Sequence, residues 1–122
     1  MLVVEDDEDI REILLQCLEL EGYAVESAAD GKQGLERITG RSLPCFIVLD
    51  LMMPVMDGWE LLDSLERDTS LARIPVAIVS AVGHSSAELQ ARHPSVKGFF
   101  AKPIESGALL DLVGRHCARS VE

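Results

Sequence analysis

Phe46-Ile47-Val48-Leu49-Asp50 is an unbroken apolar run that stops on a carboxylate. A run of that kind, without alternation, reads as a strand buried on both faces, as in a parallel sheet. Two further runs share the pattern. Met1-Leu2-Val3-Val4 stops at Glu5-Asp6, and Pro75-Val76-Ala77-Ile78-Val79 stops at Ser80. Between the first two runs, Ile10, Ile13, Leu14, Cys17, Leu18 and Leu20 recur at helical spacing, and Gly22 closes that helix.

The rest of the chain continues the alternation. Tyr23-Ala24-Val25-Glu26-Ser27-Ala28 reads as a strand, and Asp30-Gly31 opens a helix with Leu35 and Ile38 as its stripe and Gly40 as its stop. Asp57, three residues before Glu60, has the reciprocal capping-box spacing, with Trp59, Leu61, Leu62 and Leu65 as apolar positions beyond. Ser86 to Arg92 reads as a short helix or a mobile face, since Gly83, two serines and Pro94 surround little apolar content. Gly98-Phe99-Phe100-Ala101 is a last brief strand before Lys102-Pro103, and Glu105 to Arg119 suits a final amphipathic helix. Strict alternation with buried strands predicts an α/β fold: a doubly wound five-stranded parallel sheet with helices on both faces. No linker or repeat interrupts it, so residues 1–122 read as one domain.

Composition narrows the function. The net charge is −10, from 21 acidic against 11 basic residues, which argues against direct nucleic-acid binding. No apolar run approaches the ~20 residues of a membrane span, and no signal peptide is visible, so a cytoplasmic protein without membrane insertion is expected. Cys17, Cys45 and Cys117 are odd in number and form no Cys-x-x-Cys pair. They read as buried apolar thiols rather than as a disulfide framework or zinc site. His84, His93 and His116 share no ligand spacing, and solvated or helix-capping roles are favoured over metal or phosphotransfer roles.

Ligands of open α/β sheets bind beyond the carboxyl ends of the strands. The residues there are Glu5 and Asp6, Asp50, Ser80 and Lys102: three carboxylates, a hydroxyl and an ammonium at one mouth. Close carboxylates repel one another, and a hard cation such as Mg2+ relieves the repulsion. An aspartate can also be a nucleophile that forms an acyl phosphate, with a lysine balancing charge on the phosphoryl oxygens. Glu5-Asp6-Asp7-Glu8-Asp9 has a simpler reading for its last three members, which suit a helix N-terminus.

Leu2-Val3-Val4-Glu5-Asp6-Asp7, Leu49-Asp50-Leu51-Met52-Met53-Pro54 with Asp57-Gly58, Val79-Ser80-Ala81 and Ala101-Lys102-Pro103 together resemble the receiver domain of bacterial response regulators. Four short motifs in order, at the family's separations, cover essentially the whole chain. The resemblance implies the flavodoxin-like strand order 2-1-3-4-5. It implies that Asp50 is phosphorylated by a histidine kinase or histidine phosphotransfer protein, and that Asp6, Asp50 and the Met52 carbonyl bind Mg2+ with help from Glu5. Ser80 and Lys102 would bind the phosphoryl group. Phe99 takes the switch-aromatic position, without the hydroxyl of the tyrosine many members carry. The surface near Ser80, Phe99 and the last helix would then control an unidentified output partner or a phosphorylation-dependent dimer. Met52 and Val82 are apolar where some members have polar groups that orient water, so slow hydrolysis of the phosphoryl group is expected.

Other functions fit less well. A flavodoxin-like electron carrier needs an anion-binding loop after the first strand, and that loop is acidic here. An aspartate-nucleophile phosphatase would use Asp7 and Asp9, but lacks a nearby threonine. A degenerate receiver acting only as an interaction module is the remaining alternative, although every acceptor-site position holds a competent residue. No small-molecule turnover is expected.

Overall fold

The computed structural model describes residues 1–39, 43–53, 55–80, 92–102 and 106–117. Five parallel strands form one sheet: β1 (Leu2–Val4), β2 (Glu26–Ala28), β3 (Ile47–Asp50), β4 (Val76–Ser80) and β5 (Val96–Ala101), in the order β2-β1-β3-β4-β5. The described helices are α1 (Glu8–Leu20), α2 (Gly31–Thr39), α3 (Gly58–Glu66) and α4 (Ser106–Gly114), with a 3-10 turn at Leu71–Arg73. The helix expected from Ser86 to Arg92 falls almost wholly in residues 81–91, outside the described residues.

The apolar runs work because successive strand residues point to opposite faces. Leu2, Val4, Ile47, Leu49, Val76 and Ile78 join Ile38 of α2 and Leu61, Leu62 and Leu65 of α3 in one core. Val3, Val48, Ala77 and Val79 join Leu14 and Leu18 of α1 and Leu109 and Val113 of α4 in the other. A polar substitution at any of these strand positions buries an unpaired group in one core or the other. Trp59 packs partly against the α2–α3 core, as its spacing on the helix suggested.

Local chemistry fixes the element ends. Asp7 caps α1, its carboxylate accepting from the Ile10 amide at 3.1 Å, with Glu8 and Asp9 in the first turn. In α3 the Asp57 carboxylate accepts from the Glu60 amide at 2.9 Å, and the Glu60 carboxylate accepts from the Asp57 amide at 3.2 Å. Strand β2 is shorter than its sequence pattern, at Glu26–Ala28. The last helix stops at Gly114, well before Arg119, and the following turn carries Cys117 back toward the sheet.

That turn overturns one expectation. Cys45 and Cys117 are joined by a disulfide, with Cα atoms 5.6 Å apart and 72 positions between them in the chain. The spacing lies in the ordinary range for bridged cysteines. The reading as separate buried thiols failed because widely spaced cysteines carry no local sign of being neighbours; only the packing of α4 beside the start of β3 brings them together. Cys17 remains a free thiol. His93 also departs from expectation. It is buried rather than solvated, and its Nδ1 lies 2.9 Å from both carboxylate oxygens of Glu66.

Candidate functional site

Because all five strands run the same way, their carboxyl ends open on one edge, and the connections leave the sheet there. β1 delivers Glu5, which is 1% exposed, and Asp6, which is exposed. β3 ends on Asp50, 3% exposed, and β4 ends on Ser80, fully buried. The Lys102 amide donates to the Ser80 carbonyl at 3.0 Å, so the sheet ladder itself sets Lys102 beside β4. Carboxylate oxygens of Glu5, Asp6 and Asp50 come within 4.8 Å of one another. The residues singled out at the strand ends therefore do meet.

Lys102 bridges the two buried acids. Its Nζ lies 2.8 Å from Glu5 Oε1 and 3.2 Å from Asp50 Oδ2. The other Asp50 oxygen, Oδ1, accepts from the Met52 amide at 3.2 Å, and Glu5 Oε2 accepts from the Asp7 amide at 3.1 Å. Arg11 donates to the Glu5 carbonyl at 3.0 Å, steadying the backbone between β1 and α1. Burial pushes the Glu5 carboxyl up to about 7; Lys102 and the Asp7 amide work against that rise, and the charge of Asp50 adds to it. Burial disfavours the Lys102 ammonium too, but Glu5 and Asp50 outweigh it and hold its pKa above the ordinary value.

The donor set suits a hard cation. Glu5 and Asp50 share Lys102 with the Asp6 carboxylate close by, and although Glu5 Oε1 is in ionic contact with the lysine, that buried atom receives no well-directed hydrogen bond. A divalent ion beside it would satisfy the oxygen and offset the repulsion from Asp50, which adds to the burial that raises the Glu5 pKa.

The β3–α3 loop needs two unusual backbone features. A Cβ on Gly58 would lie 2.5 Å from the Asp50 carbonyl oxygen, so only glycine lets α3 start this close to the acidic site. Val55 sits at φ 67°, a left-handed conformation that costs a β-branched residue of the order of 1–3 kcal/mol. Met52 is 61% exposed at the lip of the site, and Phe99 is half-buried on β5 against the α2–α3 core.

Residues 1–114 match the family model described as the response regulator receiver domain. The chain belongs to that family. Relatives include the DNA-binding dual master transcriptional regulator RpaA of Synechocystis sp., 32% identical over 90% of this chain and 45% of that protein. An uncharacterized 14.6 kDa protein of Leptolyngbya boryana is 32% identical over 96% of this chain and 88% of its own length. Among solved structures, the receiver domain of the Francisella response regulator 1452 matches with a TM-score of 0.80 at 28% identity, covering 93% of this chain and 92% of that one. Chemotaxis protein CheY4 of Vibrio cholerae matches at 0.82 and 26%, covering 95% and 96%. This receiver spans 45% or less of the first curated relatives it matches, RpaA and the regulators DctD and FleR of Pseudomonas aeruginosa.

Family membership fixes the coarse function. Receiver domains of two-component response regulators are phosphoacceptor switches rather than classical enzymes, work with kinase partners, and typically bind Mg2+ at an acidic pocket. No described helix of this receiver is long and apolar enough to cross a membrane.

The sequence reading did not find the grouping of Asp63, Glu66 and His93, nor the Cys45–Cys117 bridge. For the first, the i, i+3 spacing of Asp63 and Glu66 on a helix was the only local signal.

Proposed function

We propose that Asp50 accepts a phosphoryl group from a histidine kinase or histidine phosphotransfer protein, and that residues 1–122 act as one receiver domain in the cytoplasm. The observation that carries this is the buried Asp50 carboxylate, ion-paired to Lys102 at 3.2 Å within a cluster that also holds Glu5 and Asp6. One Asp50 oxygen attacks phosphorus, the bond to the donor nitrogen breaks, and the donor histidine keeps the electron pair. Lys102 meets the negative oxygens of the transferred group, and the Ser80 hydroxyl donates to one of them. Glu5, Asp6, Asp50 and the Met52 carbonyl would hold Mg2+, which supplies charge neutralisation at the transferring group when bound. Acetyl phosphate replaces the protein donor, so the domain catalyses only its own phosphorylation and dephosphorylation.

Phosphorylation adds charge and acceptor oxygens at the mouth of the sheet. Movement of Ser80 toward them leaves room for the Phe99 ring to turn inward. The surface around β5 and α4 then changes for an output partner or a second copy of the chain. Met52, apolar and exposed beside the site, cannot orient a water, which favours a long-lived phosphoryl group. A half-life of seconds without a phosphatase would refute that lifetime. In a reducing cytoplasm Cys45 and Cys117 would stand as thiols until oxidised.

Intact mass after incubation with acetyl phosphate tests the acceptor. One phosphoryl group should be gained with Mg2+, and none without it or in Asp50→Asn. No gain under any condition would leave the partner-binding, unphosphorylated receiver as the better reading.

A further inference from the structure

A second cluster lies on the opposite edge of the sheet. Trp59, Asp63 and Glu66 stand at i, i+4 and i+7 of α3, one stripe of the helix. His93, from the segment leading into β5, packs against that stripe, its ring 5.7 Å from the Trp59 ring and tilted by 41°. One ligand atom from each of Asp63, Glu66 and His93 lies within 4.8 Å of the others. His93 is buried, Glu66 is half-buried, and the exposed Asp63 carboxylate has no ion-pair partner among the described residues.

We infer that Asp63, Glu66 and His93 form a binding site for a zinc-class transition-metal dication, separate from the acidic pocket of Glu5, Asp6 and Asp50. The chemistry of the donors selects the metal. An imidazole nitrogen with two carboxylates suits zinc, nickel or copper, whereas Mg2+ takes oxygen donors and keeps its waters. An imidazole needs one carboxylate to satisfy it; the second, Asp63, adds negative charge that an ion pair with His93 does not require. Ligand atoms around a tetrahedral zinc ion stand roughly 3.3 Å apart, from bonds of about 2.0–2.1 Å. The exposed Asp63 side chain closes the remaining distance by rotation. On binding, His93 would ligate through Nδ1 as the neutral imidazole with its ring proton on Nε2, while Glu66 turns one oxygen from the ring to the ion. Three protein ligands leave the fourth position to water. Asp63 and Glu66 also lie in the last turn of α3, where the helix dipole favours a cation. The ion would tie α3 to the start of β5, the strand whose far end carries Lys102.

Trp59 is the chain's one tryptophan and sits beside the site, so its emission reads binding directly. Untagged protein is titrated with Ni2+, a quencher, and then with Zn2+ as competitor. Expected is saturable one-to-one quenching that Zn2+ reverses, that millimolar Mg2+ leaves in place, and that survives Asp50→Asn. His93→Gln and Asp63→Asn should each weaken binding at least about tenfold. Asp63→Asn changes an exposed helix position, and circular dichroism confirms folding of both variants. Absence of quenching up to millimolar Ni2+, or affinities in both folded variants within about twofold of the parent's, overturns the site.

Discussion

The two edges of the sheet treat charge in opposite ways. At the carboxyl edge, Glu5, Asp6 and Asp50 crowd together, Lys102 pairs with two of them, and burial pushes the Glu5 carboxyl up to about 7. At the amino edge the buried groups are paired, Cys45 with Cys117 and His93 with Glu66, and the exposed Asp63 carboxylate faces solvent. One edge is left under electrostatic strain that a cation or a change of charge relieves. The other is pinned, α3 to the segment before β5 by Glu66 and His93, and the turn after α4 to the start of β3 by the Cys45–Cys117 bridge when it is oxidised. A switch needs both, since a charge change moves a surface only if the rest of the domain stays fixed.

The comparison breaks most sharply if the cross-link is cut. Closing a loop over 72 positions stabilises by about 4 kcal/mol in the chain-entropy account, so a reductant or Cys45→Ser should lower unfolding stability by that order. Urea titration with and without dithiothreitol measures it. Phosphoryl gain at Asp50 should persist in the reduced protein, because the bridge lies at the far edge; loss of both together would mean that the edges are not separable.

Lys102→Ala attacks the other side. Removing the ammonium that pairs with Asp50 should slow phosphorylation by acetyl phosphate roughly a hundredfold, the usual effect of losing a transition-state donor. Stability in urea should change far less than the rate. An unchanged rate would take Lys102 out of the chemistry.

A pH profile sharpens the contrast further. The folded state holds the Glu5 proton more tightly than the unfolded chain, with the carboxyl raised from 4.5 to about 7. Metal-free stability should therefore fall as pH rises through that window, and Glu5→Gln should flatten the slope. Mg2+ favours the ionised carboxylate, so its affinity should weaken as pH drops below about 7. The smallest effect is expected at the α3 cap, where Asp57→Ala loses the bond to the Glu60 amide and about 1 kcal/mol of stability. Thermal unfolding checks it, and a drop several times larger would mean that Asp57 also braces the acidic pocket.

How much was legible follows the same division. The capping box at Asp57 and Glu60 formed as the spacing implied, because both partners lie within one helical turn. The apolar runs at Leu2–Val4, Ile47–Asp50 and Val76–Ser80 became central strands, because continuous burial on two faces leaves little else for such runs. Strand β2 was read too long: its ladder with β1 starts at Leu2 and Glu26, while Tyr23 stays bonded to the end of α1 and the Ala24 carbonyl accepts from the Met1 terminus. Neither His93 with Glu66 nor Cys45 with Cys117 had a signature, since their separations of 27 and 72 positions correspond to no repeat.

The sequence by itself determined the parallel sheet and the residues at its carboxyl edge. A strand's last residue is a position in the chain, and parallel strands must end together. Tertiary structure alone decided the 2.8 Å contact between Lys102 and Glu5, the rise in the Glu5 pKa, and the pairings at the amino edge. Those depend on how far each helix travels before it turns back, and on what it is packed against when it does. Local sequence does not encode that distance, because it is set by the fit of two whole cores.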